Sequence, residues 1–310
     1  MAEEIKDIIE IKDLKKDYGQ GRGIFGVTFS VHKGECFGFL GPNGAGKSTT
    51  IRHLMGFSKP DSGETSINGV NTLKNRDVIM NDVSYLPGEI ALPNSLTGKE
   101  FIDEMVHLKR VKDKTFLNWL IETFELDTSL LCKEMSLGMK RKLAIVTCFM
   151  SDPDIIIMDE PSSGLDPEMQ EVFIKLIKAE KKRGKTILMS SHIFGEIDAC
   201  CDRIAVIKDG NLVSLFNADD LKHKTNKTYK VIFKSKDELK EFKSKKSKDY
   251  KIVDWNLNSK MAVLVIDDSK INDLIKTLKD YNLVDFIEQK ETLEDYFMSF
   301  YKEDKTYRGI

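Results

Sequence analysis

The nine residues from Gly41 to Thr49, Gly-Pro-Asn-Gly-Ala-Gly-Lys-Ser-Thr, constrain this chain more than any other stretch. They fill the pattern G-x-x-x-x-G-K-[ST] completely. An apolar run before them, Cys36 to Leu40, reads as a buried strand; after them Ile51, Leu54 and Met55 fall at helical spacing, and Gly56 can close that helix. Strand, loop of small residues and helix, in that order, cradle phosphate groups: backbone N–H groups wrap the anion and the helix N-terminus adds a positive field. In such a cradle Gly41, Asn43, Gly44, Ala45, Gly46 and Thr49 form the wrap and the first turn. Lys47 reaches the β- and γ-phosphates of ATP, and the Ser48 hydroxyl ligates Mg2+.

The chain has 310 residues, room for one large domain and a small one. A hydrophobic share of 41% beside 32% charged residues is that of an ordinary soluble globular protein. The net charge of −2 gives no global pull toward nucleic acid or an anionic membrane. Five cysteines, mostly in apolar runs and without paired C-x-x-C spacing, argue against disulfides and zinc. The acidic start and the lack of a long apolar run lead us to expect a cytosolic protein that meets a membrane only through a partner.

Ile8 to Leu14 and Val27 to Val31 alternate apolar and polar residues, the mark of antiparallel strands with one buried face. Between them Gly21-x-Gly23-x-x-Gly26 matches the dinucleotide fingerprint in letters only, because a strand pattern follows it rather than a helix. Tyr18 reads either as a strand-end aromatic or as a flat platform for a nucleobase. Turn signals at Pro60 to Gly63 and Asn68-Gly69 flank a short strand, and Val83 to Pro87 reads as a strand running into a loop. From about Gly98 to Leu131 the apolar spacing becomes helical, a packing pattern that we take for a helical subdomain, about residues 90–150, inserted into the core.

Ser136 is a fair N-cap for the helix that carries Lys140-Arg141-Lys142 and then Leu143, Val146 and Met150. A short turn leads to Ile155-Ile156-Ile157-Met158-Asp159-Glu160, a strand buried on both faces with two carboxylates at its C-terminal end, where open α/β sheets place their ligands. Asp159 can hold the metal, and Glu160 can deprotonate the attacking water. Asp166 and Pro167 start another helix, which Gly184 ends. His192 follows the strand Thr186 to Ser190 at the same sheet edge.

Near Lys222 to Asn226 the composition turns Lys-rich and polar, which sets the expected boundary between residues 1–224 and 225–310. Beyond it the order strand, helix, strand, strand, helix, strand, with a final helix, predicts a ferredoxin-like α+β domain. The lysines from Lys234 to Lys251 are interrupted by acids and carry no evident aromatic platform, so they read as a solvated face and not a nucleic-acid patch.

Taken together, these motifs make the chain resemble the ATP-binding subunit of an ATP-binding cassette (ABC) transporter, over residues from about Ile8 to Leu221. The resemblance implies an α/β fold: a P-loop NTPase core of ABC type with an antiparallel β subdomain and a helical subdomain. It makes Tyr18 the adenine-stacking aromatic, Ser136 and Gly138 part of the signature segment, Asp166 a contact to the other subunit, and His192 the switch at the γ-phosphate. The family's usual signature, Leu-Ser-Gly-Gly-Gln, is here Met135-Ser136-Leu137-Gly138-Met139, and the usual loop glutamine is missing after Tyr85-Leu86-Pro87. Glu89 is the candidate replacement. Both departures, with the ending Thr292 to Phe297, resemble the bacterial drug, antibiotic and bacteriocin exporters whose permease is a separate chain.

The implied mechanism is a clamp of two copies meeting head to tail around ATP and Mg2+, coupled to an integral-membrane permease, without direct contact to nucleic acid. Two other classes share this core. A soluble ATPase switch of the chromosome type would need a long coiled coil between Lys47 and Ser136, and ribosome-acting relatives carry two cassettes per chain. A binding module without hydrolysis is opposed by Glu160 and His192.

Overall fold

The computed structural model describes residues 6–222, 226–245, 247–289 and 292–302, so the expected boundary at residue 224 and the chain start at residues 1–5 lie outside the described residues. The chain divides into two compact units, Met1–Ala218 and Asp219–Ile310.

In the first unit, strands β1 (Asp7–Asp17) and β2 (Gly23–His32) pair antiparallel, as their alternation predicts. Val27, Phe29 and Val31 are buried while Thr28 faces out. A third strand, β3 (Cys36–Leu40), leaves this hairpin for a second sheet and runs into α1 (Lys47–Leu54). Strands β4 (Ser62–Ile67) and β5 (Val70–Asn71) complete the antiparallel sheet in the order β2-β1-β4-β5, before the single turn α2 (Arg76–Ile79) and strand β6 (Val83–Leu86).

Helix α3 (Gly98–Leu108) opens with a full capping box between Thr97 and Glu100, and α4 (Thr115–Thr123) follows. The helical pattern expected as far as Leu131 stops short: Glu125 adopts a left-handed φ of 47° just after Phe124, and Leu126 and Cys132 enter the core from loop backbone. Helix α5 (Leu137–Phe149) then leads to β7 (Ile155–Asp159), α6 (Pro167–Lys182), β8 (Thr186–Ser191), α7 (Phe194–Cys200) and the hairpin β9 (Arg203–Lys208) and β10 (Asn211–Asn217), with α8 (Ala218–Lys222) after it.

The second sheet has the order β10-β9-β3-β8-β7-β6, parallel except for β10 at its edge. Every residue of β3, β7 and β8 is buried, which is why their sequences are nearly unbroken apolar runs. The two sheets share one core. Phe29 of the antiparallel sheet stacks on Phe37 of β3 at 4.9 Å and tilts against Phe39 at 5.2 Å.

The second unit holds β11 (Asn226–Phe233), α9 (Lys236–Ser244), β12 (Tyr250–Asn256), β13 (Met261–Asp267), α10 (Ile271–Leu278), β14 (Leu283–Gln289) and α11 (Leu293–Lys302). Its antiparallel order, β12-β13-β11-β14, is the ferredoxin-like arrangement expected from the element order. Val231, Phe233, Ala262 and Leu264 are buried in one cluster with Leu239 and Phe242 of α9 and Leu274 of α10. One aromatic stands beside the lysine run. It is Trp255 from β12, with Lys243 Nζ 3.3 Å from its ring centroid, so this chain's own cation occupies the face.

Each unit therefore has its own apolar cluster. A chain truncated after Lys222 is expected to unfold in a single cooperative denaturant transition, followed by circular dichroism. A non-cooperative melt would show that the first unit does not fold alone.

Candidate functional site

The phosphate loop leaves β3 at the C-terminal edge of the parallel sheet, where Gly41 N–H donates to the Ser191 carbonyl at 3.4 Å. Gly46, at φ 111°, turns the chain into α1. A Cβ there would stand 2.7 Å from Ile24, so both the conformation and the space call for glycine. No side chain caps α1, which leaves its first N–H groups for an anion. Ser48 and Asn43 are exposed at the rim, while Ala45 is buried beneath them.

Lys47 is 5% exposed. Its ammonium donates to the carbonyls of Gly41 at 2.6 Å and Pro42 at 3.1 Å, and lies 2.9 Å from Glu160 Oε1. That last contact is an ion pair outside hydrogen-bond geometry, so the buried Oε1 accepts no hydrogen bond.

Glu160 stands just past β7 at a left-handed φ of 49°, its N–H held by the carbonyl and the hydroxyl of Ser190, each at 3.1 Å. Strain of this kind persists where the surroundings over-determine it, and it marks functional positions. Its other oxygen, Oε2, meets Nδ1 of the half-exposed His192 at 2.6 Å. Asp159 is buried, with Oδ1 accepting from Ser190 Oγ at 2.5 Å. Gly88 approaches the other oxygen so closely that a Cβ would stand 3.0 Å from Oδ2. The structure thus gathers Lys47, Asp159, Glu160 and His192 at one sheet edge, as the motifs predict.

Other predicted residues stand elsewhere. Tyr18 lies just beyond β1, 54% exposed, with Lys16 Nζ 5.9 Å from its ring centroid. Ser136 caps α5 through Met139 N–H at 3.2 Å, and Gly138 packs on Gly164, whose carbonyl would be 2.9 Å from a Cβ. The Asp166 carboxylate is engaged as the N-cap of α6, accepting from Met169 N–H at 2.9 Å. Glu89 is exposed.

Three functional candidates escaped the sequence reading. Ser190 holds the carboxylate of Asp159 and the backbone N–H of Glu160. Arg141 enters the sequence reading only as the middle of the run Lys140-Arg141-Lys142, yet it is 2% exposed. Glu196 is 2% exposed on α7 and accepts from Ser191 Oγ at 2.8 Å. The cue for both is burial of a charge, which no local spacing encodes.

ATP and Mg2+ fit this set. The cradle is lined by N–H groups, Lys47 is buried with its charge directed at the acids, and Ser48 and Asp159 offer the hard oxygens that Mg2+ prefers.

A family model described as "ABC transporter" matches residues 24–163. The bacitracin transport ATP-binding protein BcrA of Bacillus licheniformis is 35% identical over 223 residues, 71% of this chain and 73% of that protein. This chain belongs to the ABC transporter family. A solved ATP-binding subunit of an ABC transporter superposes on this family member with a TM-score of 0.63 and 31% identity, over 69% of this chain and 92% of that one. A dimeric ATP-binding cassette in a post-hydrolysis state, bound to ADP and phosphate, shares the fold at a TM-score of 0.61 and 23% identity, over 68% and 99%. This ABC protein is an ATPase of transporter type, and its cofactors are ATP and, as is normal for such domains, Mg2+. The family match favours that reading over a switch acting on nucleic acid. No helix among the described residues is long and apolar enough to cross a membrane.

Burial pushes the Glu196 carboxyl above its ordinary value of 4.5, against the pull of the Ser162 and Ser191 hydroxyls. The folded chain therefore holds this proton more tightly than the unfolded one. The stability it contributes is complete below 4.5 and is lost as pH rises through the raised folded value. Glu196→Gln cannot ionise, so its stability relative to wild type should improve as pH rises from 4.5 through the raised folded value, read from urea midpoints. A difference that does not change with pH would mean that burial does not perturb this carboxyl.

Proposed function

We propose that this chain powers export of a drug-like or antibiotic-like compound through a separate permease, by ATP-dependent closure on a second copy of itself at the inner face of the membrane. The observation that carries the proposal is that Lys47, Asp159, Glu160 and His192 converge at one sheet edge, while Ser136 caps the start of α5 and Gly138 packs on Gly164. The similarity to a bacitracin transport protein supports the class of cargo. The dimeric cassette of the same fold supports the pairing.

In this reading Gly41, Asn43, Gly44, Ala45, Gly46 and Thr49 wrap the phosphates, and Lys47 compensates their charge. Ser48 and Asp159 hold Mg2+, which when bound neutralises charge that develops on the phosphate oxygens. Glu160 takes the proton of the attacking water on its unsatisfied Oε1. His192, through Oε2, fixes the orientation of that carboxylate and stands at the γ-phosphate. Tyr18 stacks on the adenine, Ser136 and Gly138 close on the second copy's ATP, Asp166 contacts that copy, and Glu89 serves in place of the missing glutamine. Residues 225–310 form an accessory domain.

Glu160→Gln keeps the shape but loses the proton acceptor, so ATP should still bind while phosphate release falls by about 10²–10⁴. This variant should accumulate as a nucleotide-bound dimer in light scattering with Mg-ATP, whereas Lys47→Ala should lose binding and stay monomeric. Near-normal phosphate release would reject the base assignment; a nucleotide-bound monomer would reject the shared site.

Tyr18→Ala should weaken ATP binding by about 1–3 kcal/mol in titration calorimetry. An unchanged dissociation constant would remove the stacking role.

A further inference from the structure

Arg141 lies near the start of α5, 2% exposed, and every hydrogen bond of its guanidinium goes to a backbone carbonyl. Nε donates to Ser163 O at 2.9 Å, Nη1 to Pro87 O at 3.0 Å and Nη2 to Gly88 O at 2.7 Å. Among the described residues, no carboxylate lies within ion-pair distance of it. A buried cation without a contacting ion pair is expensive even with the Asp159 and Glu160 carboxylates acting on it from farther off, and apolar packing would fill the same space more cheaply. What this side chain supplies instead is a junction between three segments remote in sequence.

Each segment carries something the site uses. Pro87 and Gly88 begin the loop after β6, and Gly88 touches the carboxylate of Asp159. Ser163 belongs to the turn after β7, which follows Glu160 and leads to Asp166. Arg141 itself rides on the helix whose first turn carries Ser136 and Gly138. Turn and helix also meet by backbone: Gly138 packs on the Gly164 carbonyl, and Leu137 lies over Gly164, where a Cβ would stand 2.9 Å from Leu137 Cγ. The planar guanidinium fixes the two loops relative to each other, because its donors diverge in one rigid plane and cannot follow two carbonyls that move apart. A displaced Pro87–Gly88 loop must carry α5 and the Ser163 turn with it, or break charge-assisted bonds in a dry setting.

We propose that Arg141 is a positioning residue for ATP hydrolysis, coupling the loop beside Asp159 to the turn after Glu160 and to the helix surface offered to the second copy. The inference rests on the shared-site reading above. Movement of the loop after β6 then reaches both halves of the composite site through one side chain. The loop's next residue, Glu89, is exposed and free to meet a partner.

The test uses the full chain carrying Arg141→Lys, which keeps the charge and can reach one carbonyl but not three. The expected result is a melting temperature lowered less than in Arg141→Ala, ATP affinity within about twofold of wild type, and kcat lowered about 10- to 100-fold at unchanged KM. Combined with Glu160→Gln, the substitution should also weaken the Mg-ATP-dependent dimer about tenfold in light scattering. Arg141→Ala serves as the severe case, with three buried carbonyls left unpaired, and should fall below the lysine variant in stability as well as in turnover.

Wild-type kcat in Arg141→Lys overturns the proposal. So does a joint loss of melting temperature, affinity and turnover in that variant, since that pattern is plain structural damage. If Glu160→Gln alone stays monomeric with Mg-ATP bound, the shared-site reading fails and takes this inference with it. If it dimerises and Arg141→Lys changes neither dimer nor kcat, the inference alone fails.

Discussion

The register of three parallel strands is the constraint on which the site depends. Leu40 of β3 stands beside Ser191 of β8, and Asp159 of β7 beside Ser190. Because the strands are buried on both faces, a slip of one residue would drive polar groups into the core, so the pairing is strongly specified. That register alone brings the phosphate loop, both acids and His192 to one edge. It also explains the ion pair between Lys47 and Glu160. A buried pair of this kind adds little net stability, while loss of one partner strands the other charge. Its value is geometric: it holds the ammonium over the loop and leaves a carboxylate oxygen without a hydrogen-bond donor.

The parts of this site legible in the sequence were those whose chemistry is local. The phosphate loop carries its own strand and helix signals, Asp159 and Glu160 end an apolar run, and His192 follows another. The ferredoxin-like unit was legible for the same reason, since its strands and helices change period in an unambiguous order. The illegible parts are tertiary. Lys140, Arg141 and Lys142 look alike as a basic run, and only the packing of α5 against two loops selects the middle one for burial. Glu196 looks like an ordinary helix acid until α7 turns it toward Ser191. The left-handed backbone of Glu160 has no sequence signal, because it arises from the clasp of Ser190 on its N–H. The helical pattern after Phe124 failed where a positive φ at Glu125 ended the run.

The signature segment shows how a departure from the family pattern can be absorbed. Leucine at 137 adds a bulky side chain at the first helical position, 62% exposed, where the usual residue is glycine. It is accommodated because the facing residue, Gly164, has no side chain and adopts φ 87°. Ser136 keeps its cap on α5 and Gly138 keeps its close approach, so the helix start is preserved in form although three of its five letters differ.

The same contact sets what the turn after β7 can do. Ser163 is held by Arg141, Gly164 lies under Leu137, and Asp166 spends its carboxylate on capping α6. Between Glu160 and the helix that follows, Ser163, Gly164 and Asp166 are therefore each held by groups of this chain. A turn so tethered cannot adjust to a neighbour by itself; it can only move with α5. For a machine that must close and reopen with each nucleotide, that rigidity is useful, because a small shift at one loop is not dissipated in local flexing but reaches the next element whole.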